Sequence, residues 1–229
     1  MLRADISADQ TRSAIGSSNK LVRIYSTADG SLENEIKKHT DWVYCCGFSP
    51  DGVLLASGDR NGGVHVWEAH TGREFLTLSG HTAGITSCAW RSDSNILATS
   101  SEDGTIRLWE MENGTMVKNW NAHGGGATNL WFTRDGRLVS VGRDRVAKLW
   151  DQNGTAIKQF DPFSDIALRV TFCDETNRII AGDWTGAIRV WNAADGAQAG
   201  DVTSNPPLLQ QRLDSANAPD WRGSTGTMI

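Results

Sequence analysis

Several groups in this chain could do chemistry. Five histidines, His39, His65, His70, His81 and His123, share it with Asp103, Asp144, Ser57 and Ser140. A hydrolytic site would need a nucleophile, a base within hydrogen-bond reach and a third group orienting that base. Four cysteines, Cys45, Cys46, Cys88 and Cys173, are possible thiolate ligands. None is spaced Cys-x-x-Cys, as zinc sites require. Gly124-Gly125-Gly126 could cradle a phosphate, but a P-loop also needs a lysine and a following helix, and a strand-like run follows here. Asn113-Gly114-Thr115 and Asn153-Gly154-Thr155 match the N-glycosylation sequon. Both lie where Asn-Gly is expected to make a turn.

The placement of these groups argues against chemistry. Tyr25, Trp67, Trp109, Trp150 and Trp191 succeed one another at intervals of 42, 42, 41 and 41 residues. A fixed period in this range signals stacked repeat units. His39, His81 and His123 occupy one repeated turn position, so their role is structural first. His65 and His70 belong to a strand and a hairpin, and a metal site drawn from the five would have to span units. Asp103 and Asp144 are equivalent turn residues of adjacent units, which leaves no carboxylate pair for acid–base work. Ser57 and Ser140 sit inside strands, not on an exposed nucleophile elbow. The cysteines read as small apolar residues of buried strands. Adjacent Cys45 and Cys46 point to opposite faces of theirs. No catalytic residue, metal ligand or cofactor is expected.

Each unit is built from short apolar runs separated by Asp, Ser, Asn and Gly, the pattern of β-strands and tight turns. In the central unit, whose third strand closes on Trp109, the predicted strands are Ile85–Trp90, Ile96–Ser100, Thr105–Glu110 and Thr115–Trp120. In the first unit they are Ala4–Ser7, Arg12–Gly16, Leu21–Tyr25 and Leu32–Ile36. The first strand of each unit, more continuously apolar than the rest, is predicted to be covered on both faces. The residue pairs ending on Gly30, Gly72, Gly114, Gly154 and Gly196 predict type I′ hairpins, in which both central residues take positive φ. After Val202, Asn205-Pro206-Pro207 cannot continue a ladder. Leu208–Leu213 could form a helical turn, and the segment 203–229 reads as an irregular tail.

Gly80-His81, Asp103-Gly104 and Trp109 resemble the WD40 repeat, and the resemblance recurs five times across about Leu2 to Val202. It implies an all-β propeller domain over residues 1–202, with five four-stranded blades near 2–37, 41–78, 83–120, 126–160 and 165–202. It also implies a hydrogen-bonded set inside each blade. Blade three carries His81, Thr99, Asp103 and Trp109, and blade four carries His123, Ser140, Asp144 and Trp150. Blade two has His39, Ser57 and Trp67, with Asn61 replacing the aspartate. Blade five has Ser164 at the histidine position and Thr185 at the aspartate position. Blade one offers Asn19 and Tyr25. The repeats, with Asn-Pro-Pro-Leu-Leu behind them, also look similar to bacterial WD40 proteins in which a propeller is joined to other domains.

At 229 residues and a net charge of −5, with its basic residues scattered, the chain lacks the electrostatic footprint of a nucleic-acid binder. No apolar run approaches the length of a membrane span. The first residues, Met1 to Asp5, form no secretory signal, so a cytoplasmic location is expected. A seven-bladed ring would take about 290 residues at this repeat length. With five units the expected form is an open, incomplete propeller, preferred over a closed five-bladed ring. Apolar faces would then be exposed on blades one and five, favouring self-association or missing blades supplied by another chain.

The resemblance implies a protein-interaction scaffold that binds a protein or peptide on its loop face. Trp42, Arg60, Glu102, Arg143 and Trp184 are the candidate contacts, with Trp and Arg the types that dominate interface energy. The alternatives are a propeller module of a larger multidomain enzyme, sensor or redox protein and, more remotely, a hydrolase sited in the channel. The inner strands lack the convergent acids or ligands that a hydrolase would need.

Overall fold

The computed structural model describes the backbone of residues 3–203 and the side chains of residues 3–200. The predicted Leu208–Leu213 turn and the tail beyond residue 203 lie outside the described residues. Blade one is β1 (Arg3–Ile6), β2 (Arg12–Gly16), β3 (Val22–Ser26) and β4 (Leu32–Ile36). Blade two is β5 (Val43–Phe48), β6 (Leu54–Asp59), β7 (Val64–Glu68) and β8 (Glu74–Leu78). Blade three is β9 (Ile85–Trp90), β10 (Ile96–Ser101), β11 (Thr105–Glu110) and β12 (Met116–Asn121). Blade four is β13 (Ala127–Phe132), β14 (Leu138–Gly142), β15 (Ala147–Trp150) and β16 (Ala156–Gln159). Blade five is β17 (Ala167–Cys173), β18 (Arg178–Asp183), β19 (Ala187–Asn192) and β20 (Gln198–Thr203). Every blade is an antiparallel sheet with its strands in chain order, and the described residues contain no helix.

Two-residue alternation sends one set of side chains to each neighbouring blade. Ala14, Val22, Ile24 and Ile36 of blade one pack on Cys46, Phe48, Leu55 and Trp67 of blade two. From its other face, blade two presents Ala56, Val64, Val66 and Leu78 to Trp90, Leu97 and Trp109 of blade three. The same interdigitation joins blades three and four, then four and five. Cys45 and Cys46 accordingly belong to different cores.

The burial gradient differs from the sequence expectation. In blades two to four the second strand is the most buried: every residue of β6 and β14 is buried, whereas β5 and β9 alternate. A second strand has a sheet neighbour on each side and a blade over each face, while a first strand turns one edge to the central channel.

The hairpins after the repeated aromatics also differ from expectation. Gly30, Gly72, Gly114, Gly154 and Gly196 have φ between +67° and +81°, but none of the residues before them has positive φ. The register shifts at Tyr25, Trp67, Trp109, Trp150 and Trp191. These are longer turns ending on one left-handed residue beside a bulge, not type I′ turns, and only the glycine needs the left-handed region.

The inner strands β1, β5, β9, β13 and β17 pack side by side in that order. The sheets form an open arc: among the described residues, no hydrogen bond or ion pair links blade five to blade one. The two free faces are unequal, which corrects the picture of two large apolar ends. Blade one's register places Ser13, Ile15, Arg23 and Tyr25 on its free side, and Arg23 pairs with Glu35 at 2.8 Å. Blade five shows half-buried Ile180 and Ile188. No helix among the described residues is long and apolar enough to cross a membrane.

Candidate protein-interaction face

The interior of each middle blade is held by a chain of polar groups whose proton positions follow from its donors. In blade three, the Trp109 Nε1–H, which can only donate, reaches Thr99 Oγ1 at 2.8 Å. The Thr99 hydroxyl then donates to His81 Nε2, 2.8 Å away. This leaves the His81 proton on Nδ1, from which it is donated to Asp103 Oδ2 at 2.9 Å. Asp103 also accepts from the backbone of Thr82 and Thr105 and from the Thr105 hydroxyl. Blade four repeats the chain through Trp150, Ser140, His123 and Asp144, with links of 2.7, 2.7 and 2.8 Å.

Burial lowers the pKa of His81 and His123, and their aspartate partners only partly oppose it. Burial pushes Asp103 up, but the hydrogen bonds from Thr105 and His81 outweigh it and hold the carboxyl at about 2. A neutral imidazole beside an ionised aspartate fits the donor order. The serine and threonine oxygens are buried beneath tryptophan, so these groups form a strut rather than a reactive elbow.

In blade two, the carboxylate facing His39 belongs to Asp59, with His39 Nδ1 to Asp59 Oδ2 at 3.0 Å. Asn61 does not stand in for an aspartate: its amide nitrogen donates to Thr40 Oγ1, and its backbone N–H donates to Asp59. His39 Nε2 and Trp67 Nε1 both meet Ser57 Oγ at 2.7 Å. Blade five uses the same earlier position. Ser164 Oγ donates to Asp183 at 3.1 Å, and Thr185 donates to Asp183 through both N–H and hydroxyl. Asp59 ends β6 two residues beyond Ser57, where blade three has Ser101 and blade four Gly142, so in blade two a carboxylate stands at the strand end and reaches the histidine ahead of the turn position. The shared dipeptides Gly58-Asp59 and Gly182-Asp183 were the sequence signal for this variant.

One end of the arc gathers the loops that enter each blade and those between its second and third strands. Backbone hydrogen bonds lock them together: Arg60 N–H to Trp42, Glu102 N–H to Gly84, Arg143 N–H to Gly126 and Trp184 N–H to Ile166, at 2.9 to 3.0 Å. Trp42 is 42 % exposed and Trp184 71 %. The Arg60 guanidinium sits 5.6 Å from the Trp42 ring centre. Arg143 donates to Glu102 at 2.9 Å, linking blades four and three. The Trp42–Arg60 and Glu102–Arg143 pairs thus form two local clusters, with Trp184 on blade five.

Around the central channel stand Arg3, Asp5, Cys46, Trp131 and Arg169. Asp5 accepts the Phe48 N–H at 2.7 Å. Burial pushes the Cys46 thiol to about 12, and a hydrogen bond with Cys45 together with burial raises Cys88 well above the usual thiol range. Such thiols are poor nucleophiles. The described residues contain no group of three or more His, Cys, Asp or Glu side chains placed to hold a metal ion.

The family model described as "WD domain, G-beta repeat" matches residues 30–68, 72–110 and 114–151, half of the chain. Each match starts at a hairpin glycine, so the sequence repeat takes the outer strand of one blade and three strands of the next. The chain belongs to the WD40 family. Its members serve in general as protein-interaction scaffolds and are generally non-catalytic. A 62-residue stretch is 42 % identical to apoptotic protease-activating factor 1 of Rattus norvegicus, covering 27 % of this chain and 5 % of that protein. The crystal structure of the computationally designed Ika8 protein is similar with a TM-score of 0.77 and 25 % identity, over 86 % of this chain and 60 % of the designed one. The chain thus matches a small part of the first relative and under two thirds of the second.

Proposed function

We propose that this propeller binds a partner protein or peptide on the loop face that carries Trp42, Arg60, Glu102, Arg143 and Trp184, and performs no chemistry of its own. The observation that carries this reading is the exposure of Trp42 and Trp184 on loops pinned by backbone hydrogen bonds. A large ring held at the surface before binding loses little further freedom when a partner covers it. The Trp42–Arg60 pair offers a flat anchor of the kind that dominates interfaces. Affinity capture by the immobilised protein, quantified by mass spectrometry, tests it. Trp42→Ala and Trp184→Ala should each lose captured partner at an unchanged melting temperature, and Lys118→Ala, on the exposed β12, should not. Equal recovery by all three variants would remove the assignment of this face.

The second reading, a module of a longer multidomain protein, is favoured by the match to only 5 % of the rat protein. In either case we propose that further blades or a second chain cover the free faces of blades one and five. Sedimentation over a range of concentrations tests this, and a concentration-independent monomer would count against self-association.

A further inference from the structure

The opposite edge of the molecule holds a second surface that the scaffold reading does not use. Between blades two and three runs a groove of about 780 Å³, within the range of about 300–1,000 Å³ typical of ligand pockets. Its floor is apolar, made by Val53, Leu54, Phe75 and Met111. Val53 is 60 % exposed and Phe75 44 %. The sequence makes this junction distinct. The preceding junction has Thr11, Glu33 and Ala69 at the positions of Val53, Phe75 and Met111, and the following one has Asn95, Val117 and Gln152.

Carboxylates line the rim: Asp51, Glu68 and Glu112. Asp51 accepts from the Ser49 hydroxyl and the Val53 N–H, and Glu68 accepts from the Thr71 hydroxyl. None of the three forms an ion pair among the described residues. Arg12, which reaches the lining residue His70 at Nδ1 across 2.9 Å, is also taken up by Glu33 at 2.7 Å. Arg73, in the same hairpin as Glu68, does not line the groove.

We propose that this groove docks an extended segment of a partner protein that carries an aromatic or large aliphatic residue flanked by Lys or Arg. The apolar side chain covers Val53, Phe75 and Met111. In an extended segment, residues on either side of that anchor point the other way, toward the rim rather than the floor. There their ammonium or guanidinium groups meet three carboxylates that form no ion pair among the described residues. An acidic or purely polar segment would leave the floor wet and the rim repelled.

The test uses whole protein and the acetylated, amidated peptide Gly-Lys-Phe-Lys-Gly, followed by backbone amide NMR shifts. Binding should move the amides of Val53, Thr71, Asn95 and Glu112, weaken as salt rises, and vanish for Gly-Glu-Phe-Glu-Gly and Gly-Lys-Ala-Lys-Gly. Glu68→Gln and Glu112→Gln should each weaken it about threefold, the scale of an exposed ion pair. Val53→Asn, which copies the next blade, should weaken it about tenfold. All three sites are at the surface, and unchanged melting temperatures will show the variants folded. Shifts confined to the Trp42 and Trp184 face, equal binding of the glutamate peptide, or no binding would overturn the proposal. It stands or falls independently of the loop-face reading.

Discussion

Blades three and five keep the same closing tryptophan by different means. Trp109 donates into the Thr99–His81–Asp103 chain. Trp191 is fully buried, but its indole N–H has no acceptor among the described residues, because Ala181 stands where Thr99 stands in blade three. The Phe160 and Phe163 rings instead pack on it at 5.3 and 5.6 Å. An unsatisfied buried donor costs about 1–3 kcal/mol, and an aromatic pair gives about 0.5–1.5 kcal/mol beyond its area burial. Two such pairs offset one orphan. The difference teaches that the polar chain is one way of holding the tryptophan in its slot, and aromatic packing is another.

Breaking the polar chain should have the largest effect. Asp103→Ala strands the His81 Nδ1–H and the Thr82 and Thr105 N–H groups, for an expected loss of about 1–3 kcal/mol by urea unfolding. Asp59→Ala should fall in the same range and Asn61→Ala within about 0.5 kcal/mol. The reverse ranking would restore Asn61 to the aspartate's place.

Acid should act on the same contrast. His81 and His123 have folded pKa values below the ordinary 6.5, so below pH 6.5 the unfolded chain takes up protons that the folded one refuses. Stability should then fall with pH, by up to about 1.4 kcal/mol per pH unit for each histidine. Asp103 adds stability that is present above about pH 4 and lost as pH falls through its folded value of about 2. Thermal melts between pH 8 and about pH 1.5 measure both, and a flat profile from pH 6.5 to 5 would contradict the neutral imidazoles.

In blade five the effects should be smaller. Ala181→Ser gives the Trp191 N–H an acceptor and should stabilise by up to about 1 kcal/mol. A destabilised variant would mean that the aromatic slot leaves no room for the hydroxyl. Thr185→Ala removes one bond at an exposed turn and should cost only about 0.3 kcal/mol. A loss equal to that of Asp103→Ala would make the two blades' sets equivalent after all.

By itself, the sequence determined the 41–42-residue period, the five four-stranded units and strand positions within a residue or two, because alternation and turn residues are local signals. It also placed His39, His81 and His123 at one position of the repeat, and in the structure each meets a carboxylate. Only the tertiary structure decided which carboxylate meets which histidine. Asp59 and Asn61 are two residues apart, and alternation gives both the parity of Ser57; the fold settles it, with Asp59 at the end of β6 facing His39 and the Asn61 amide in the turn directed to Thr40. The tertiary structure likewise decided that the hairpin glycines sit beside bulges and that the second strands of the middle blades are the most buried. It also left blade one with a partly polar free face. These outcomes depend on what packs against a residue in space, which a one-dimensional period does not encode.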